Sequence, residues 1–151
     1  IKGNKGLLIR YILLKTLAEY LGDNVSIHDN VYILNPEDIY IGNNVSIHPM
    51  TYIQSKGKIK IGDNVSIAHG VTILSENHIF SNINVPIKDQ GIDYKMTEIK
   101  SNVWIGAKST ILAGITVESG SIIGAGSVVT KKVQNNSIVA GVPAKIINIR
   151  A

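Results

Sequence analysis

Four histidines, His28, His48, His69 and His78, stand in a chain without cysteine. No disulfide, thiolate nucleophile or cysteine metal site can form. Imidazole is therefore the side chain best suited to exchange a proton near neutral pH. Any reaction in which a hydroxyl oxygen attacks needs such a base to take its proton. His78 closes the run Ser75-Glu76-Asn77-His78, just before a mixed polar stretch, 79–98, that contains Pro86 and Gly91. A histidine where a long loop leaves a rigid scaffold is a candidate general base; a solvated corner histidine is the plainer reading. His28 and His48 follow equivalent phrases and are expected to stack on one face. His48 could line an acceptor pocket, or simply sit on the surface.

A repeat must position these residues. Residues 61–78 read IGDNVSIAHGVTILSENH, six-residue units opening on Ile61, Ile67 and Ile73. The phrase occurs earlier from Leu21 (LGDNVSI) and Ile41 (IGNNVSI), and the unit resumes at Ile99, Ile105, Ile111, Val117, Ile123 and Val129. Every opening position is Ile, Leu or Val, and this period is the signature of a parallel β-helix. In a short strand, positions i and i+4 face the same side. Glycine, asparagine and aspartate between them permit a positive-φ bend, as at Gly62-Asp63-Asn64 and Gly106-Ala107-Lys108. Three sides close a triangular coil of about eighteen residues, and several coils must stack to bury a core. The spacing predicts about five coils: 21–38, 41–58, 61–78 and two more over 99–134. Insertions Ile39-Tyr40 and Ile59-Lys60 fall at the corner from which the 79–98 excursion leaves.

Three later phrases narrow the reading: Asn102-Val103-Trp104-Ile105-Gly106, Gly124-Ala125-Gly126-Ser127-Val128-Val129-Thr130-Lys131 and Ala140-Gly141-Val142-Pro143-Ala144-Lys145. With them, the stretch from Leu21 to Arg150 resembles the hexapeptide-repeat acyltransferases, in particular the sugar and polysaccharide O-acetyltransferases of the maltose and galactoside acetyltransferase group. The resemblance implies an all-β, left-handed parallel β-helix, opposite in hand to ordinary crossovers. It also implies acetyl-CoA as acyl donor, a hydroxyl of a sugar or of a nucleotide- or lipid-linked sugar as acceptor, and a homotrimer. The family's catalytic histidine opens the long excursion, which here is His78. Its cofactor contacts carry over to Ala107, Ala125, Thr130 and Lys131, and its terminal basic residue to Lys145.

Chemistry supports the same residues. A pantetheine arm along a β-helix needs small residues, supplied by Gly106, Ala107, Gly124, Ala125 and Gly126. Phosphates need cations, for which Lys131, Lys132, Lys145 and Arg150 are candidates. The same glycines and lysines could serve only turns and solvation. Trp104, too large for the prism, is expected at the groove's mouth, beside His48 on the acceptor side. The chain departs from the maltose acetyltransferase pattern in its N-terminal helix and in Ile79-Phe80-Ser81 after His78, so the acceptor stays open. β-Helical carbonic anhydrases share the repeat and a pair like His69-Gly70. His69 and His78 are too widely spaced for that local pattern and the companion residues are missing, so no metal ligand is assigned. A metal-dependent hydratase and a non-catalytic assembly module are the alternatives.

The 151 residues suit one domain, and 44% hydrophobic with 5% aromatic composition fits an Ile/Val-lined prism. The net charge of +4 suits an anionic cofactor, and no aromatic-and-basic interleaving points to nucleic acid. Residues 1–6 read as a mobile lead-in and 7–21 as a helix, with Arg10, Lys15 and Glu19 as polar exceptions; domain boundaries follow at 1–20, 21–134 and 135–151. The helix is too short to span a bilayer. It is read as packed on the β-helix or a neighbouring subunit, with membrane-surface contact as the second reading. The expected location is cytoplasmic, peripheral to the inner membrane face under that second reading. The tail, 135–151, is expected to extend and pack on the β-helix.

Overall fold

Each six-residue unit folds as one short strand and one corner. The computed structural model describes residues 3–151, and its strands stack into three parallel faces. The first face comprises Tyr20–Leu21, Ile39–Ile41, Ile59–Ile61, Thr97–Ile99 and Thr116–Val117. The second comprises Ser26–Ile27, Ser46–Ile47, Ser66–Ile67, Trp104–Ile105, Ile122–Ile123 and Ser137–Ala140. The third comprises Tyr32–Leu34, Tyr52–Gln54, Thr72–Leu74, Thr110–Ile111 and Val128–Val129. Pairing is in register, Leu21 to Ile41 to Ile61 to Ile99 to Val117 on the first face. The unit-opening residues thus stack directly, and Ile41, Ile47, Ile53, Ile61, Ile67, Ile73, Ile99, Ile105 and Ile111 are all wholly buried. Each has an aliphatic residue above and below, so the column is continuous. Ile61→Ala, mid-stack at 0% exposure, is expected to cost about 2–5 kcal/mol of stability, read as a lowered denaturant midpoint.

The stack is higher than the expected five coils. Ser137–Ala140 pairs parallel with Ile122–Ile123 and adds a rung to the second face. Val133 bridges to Val117 on the first. The chain then turns through a cis Val142–Pro143 bond, and Lys145–Ile149 returns antiparallel onto Ser137–Ala140. The expected tail is therefore partly a further coil. The insertions are absorbed where expected, by a 3-10 turn at Pro36–Asp38 and a positive-φ turn at Lys58. Ile39 and Ile59 themselves are buried at strand starts.

At the corners two jobs are divided between different residues. The positive φ falls on Asn64 (57°) and Lys108 (59°), not on the neighbouring glycines. Gly106 is required by closeness: a Cβ there would come within 2.6 Å of the Ala125 backbone nitrogen of the next coil. Asparagine tolerates the left-handed region, and its amides also run a ladder, Asn24 Nδ2 donating to Asn44 at 2.9 Å and Asn44 Nδ2 to Asn64 at 3.2 Å.

The helix, α1 (Gly3–Leu17), starts and ends earlier than expected, and Tyr20 already belongs to the first face. Residues 1–2 of the expected lead-in lie outside the described residues. Two of the polar exceptions, Arg10 and Lys15, face the prism. The first coil has no coil above it, so its carbonyls need donors. Arg10 Nε donates to Ile27 O at 2.6 Å, Tyr11 Oη to Gly22 O at 3.1 Å and Lys15 Nζ to Leu21 O. Leu14 is buried against the stack, while Leu8, Ile12, Leu13 and Leu17 stay exposed. No helix among the described residues is long and apolar enough to cross a membrane.

Candidate functional site

His78 sits where the third face hands over to the first. The excursion begins as a paired ribbon, with no buried residue between 79 and 96. Glu76–His78 pairs antiparallel with Ile92–Tyr94, and the tip carries a 3-10 turn at Ile87–Asp89. The alternation Ile92-Asp93-Tyr94-Lys95 is the sequence signal for that returning strand. The ribbon's root is fixed. Buried Ser75 donates to Gln54 O at 2.6 Å and accepts from Gly57 N at 2.9 Å, and Gln54 Nε2 donates to Glu76 at 2.6 Å. A Cβ on Gly57 would collide with the Ser75 carbonyl, so the root packs backbone against backbone.

From this root His78 is presented exposed. It lines an open hollow of about 350 Å³ with Asn77, Phe80, Ser81, Asp93 and Lys95. Lys95 holds Asp93 at 2.7 Å. Phe80, Asp93 and Lys95 had not been singled out as site residues, because only the hairpin register brings 93–95 back beside 77–81. Thr130 and Lys131, both exposed, follow the last strand of the third face and stand on the corner of His78, further down the stack.

The other candidates share a different corner, between the second and third faces. Register stacks His28 and His48 above Ala68, Gly106, Gly124 and Ala140. His28 and His48 stack as expected, with ring centroids 4.7 Å apart and planes at 10°. Burial, then the neighbouring His28 and His69, hold the His48 pKa below the usual imidazole value, which keeps His48 neutral at pH 7. Gly106 is buried, Ala107 half-buried and Ala125 exposed. Lys145 pairs with Ala140 and closes the lower end of this column. Trp104, 54% exposed between Ser66 and Ile122 on the second face, edges a hollow of about 300 Å³ with Asn64, Asn102 and Arg150.

One chain therefore presents two candidate half-sites, with the third face between them. His78, Thr130 and Lys131 stand at one; His48, Gly106, Ala107, Ala125 and Lys145 stand at the other, while Trp104 lies on the second face and its hollow opens toward Asn64 and Asn102. His69 lies on the second corner, apart from His78. Among the described residues no group of three or more His, Asp or Glu side chains is arranged to hold a metal ion.

The in-register stack of six-residue units makes this chain a parallel β-solenoid. Residues 96–131 match the model described as bacterial transferase hexapeptide (six repeats). Over 49 residues the chain is 49% identical to galactoside O-acetyltransferase of Escherichia coli, covering 32% of this chain and 24% of that protein. The matched stretches span about a quarter of the length of the first curated relatives. Among solved structures, a hexapeptide-repeat acetyltransferase from Vibrio cholerae in complex with acetyl coenzyme A superposes with a TM-score of 0.88 at 26% identity, over 94% of this chain and 76% of that one. A galactoside acetyltransferase in complex with coenzyme A gives 0.81 at 27% identity, over 98% and 73%. The resemblance to hexapeptide-repeat acyltransferases, sugar O-acetyltransferases included, is borne out.

Proposed function

We propose that the chain is an acetyl-CoA-dependent O-acetyltransferase whose acceptor is a sugar hydroxyl, with His78 as general base. The observation that carries this reading is the exposed imidazole at the root of an anchored hairpin, facing an open hollow, on a solenoid whose solved relatives hold acetyl-CoA or CoA. His78 takes the proton as the acceptor oxygen attacks the thioester carbonyl. The C–O bond forms, the C–S bond breaks, and the imidazolium returns its proton to the departing sulfur.

Ala107 and Ala125 would floor the pantetheine groove, and Lys131 and Lys145 would meet the phosphates. His48 and Trp104 would border the acceptor. Gly106 contributes through its backbone. With the two half-sites on separate corners, a groove holding both needs two chains, and a closed trimer supplies three such grooves. In this arrangement Lys131 comes from the chain that supplies His78, whereas Ala107, Ala125 and Lys145 come from its neighbour. Reliance on acetyl-CoA argues for a cytoplasmic site of action, and the exposed apolar residues of α1 could add weak contact with a membrane surface.

The test is thiol release from acetyl-CoA with a panel of sugars and nucleotide sugars, alongside light scattering. Sugar-dependent release from a particle of about three chains supports the proposal. Absence of release with every sugar overturns the acceptor class. Lys131→Glu is expected to raise the acetyl-CoA KM more at low than at high salt; a salt-independent KM would remove Lys131 from the phosphate site.

A further inference from the structure

We infer that α1 docks the chain on the surface of a bilayer rich in anionic lipid, which names the lipid class for the membrane contact proposed above and stands apart from the chemistry of His78. The helix is turned inside out. Arg10, Tyr11 and Lys15 donate to the Ile27, Gly22 and Leu21 carbonyls of the first coil. Leu8 and Ile12 form an exposed row at spacing four, and Ile9, Leu13 and Leu17 form a second row beside it. All five are 40–59% exposed. Thr16 continues the first row, but its hydroxyl donates to Leu13 O at 2.8 Å, so no unmet donor interrupts the face. The amides of Gly22 and His28 donate to the second coil, and the Leu21 and Ile27 carbonyls of the same peptide bonds point the opposite way. The helix that meets them therefore lies across the open end of the stack, with its apolar rows facing outward.

Charge selects the partner. Residues 1–18 carry Lys2, Lys5, Arg10 and Lys15 and no acidic side chain, whereas residues 19–151 balance eleven basic against eleven acidic residues. The net charge of +4 thus belongs to this one segment. Apolar rows among cations suit a layer of anionic headgroups over hydrocarbon. A second copy on the same face would set four cations against four. At 15 residues α1 cannot reach across a bilayer, so it would lie in the interface. Apolar surface also continues beside the helix. Hollows of about 300 and 190 Å³ flank it, one edged by Leu8 and Val25, the other by Leu13, Leu17 and Ile33. The coils that carry His78, Ala125 and Lys131 lie further down the stack, so docking by this end leaves both candidate corners open.

The experiment floats the full chain with vesicles of phosphatidylcholine alone or with about one third phosphatidylglycerol. Binding to the anionic vesicles is expected, at least tenfold weaker on neutral vesicles or at about 0.5 M salt. Ile12→Gln combined with Leu13→Gln should abolish flotation at low and high salt alike. Lys5→Glu should weaken binding about tenfold at low salt and much less at high salt. The substituted side chains are exposed, and circular dichroism with thermal melting verifies each fold. Equal binding to both vesicle types overturns the anionic class and keeps the contact; no binding to either, or unchanged binding by both folded variants, overturns the dock itself. A mass by light scattering, without lipid, that the Ile12→Gln, Leu13→Gln change halves would assign the face to a second copy and overturn the dock as well. His78→Ala should float like wild type, so failure of the general base and failure of the dock are read separately.

Discussion

His78→Ala is expected to lower turnover on the order of a hundredfold or more, the usual contribution of a positioned general base. The fold should survive. His78 is exposed, and its hairpin is held from elsewhere, by Ser75 against Gln54 and Gly57 and by Gln54 on Glu76. The acetyl-CoA KM should stay near wild type, because Ala107, Ala125 and Lys145 are untouched. The check is steady-state kcat and KM by thiol release, with circular dichroism and thermal melting for the fold. Wild-type-like turnover in a folded variant would move the base to His69 or His48. Those histidines stand on the other corner, so that outcome would also relocate the acceptor.

The second large effect concerns two variants that should each be inactive alone. Ala125→Trp places a bulky ring on the exposed small-residue corner and should block the proposed groove. His78→Ala removes the base. In the proposed trimer, each groove takes His78 from one chain and Ala125 from its neighbour. Random mixing of equal amounts leaves about a quarter of grooves with both intact elements in a closed ring. Activity should therefore rise from near zero to about a quarter of the wild-type rate after the chains are unfolded together and refolded. Zero activity in mixed particles whose trimeric mass is verified would put both elements on one chain. That would contradict the placement of His78 after the third face and of Ala125 after the second.

The repeat was legible because burial repeats with it. Ile61, Ile67 and Ile73 each open a unit and each is fully buried, so the hydrophobic period and the core are the same fact. His78 was legible for a related reason: the period breaks immediately after it, and a break in a solenoid marks an exit point. The small residues Ala107 and Ala125 could be read from their phrases, since the register then assigns their corner. The height of the stack was not legible, because Ser137–Ala140 adds its rung after the strict period has lapsed. Nor was the facing of Arg10 and Lys15. Helical periodicity distinguishes polar from apolar positions, but only the uncovered carbonyls of Leu21 and Ile27 draw Arg10 and Lys15 to the prism side.

By itself the sequence determined a stack of short aliphatic strands with one interruption beside a histidine. Those properties are periodic and local, and each unit's burial depends on its nearest neighbours. The tertiary structure alone decided which candidates share a corner and what the interruption becomes. It put Lys131 with His78 and Lys145 with Ala125, because corner identity depends on summed coil lengths and on the tail's reversal. It also returned Asp93 and Lys95 to His78 through antiparallel pairing across the excursion. That is a long-range register which no six-residue period encodes.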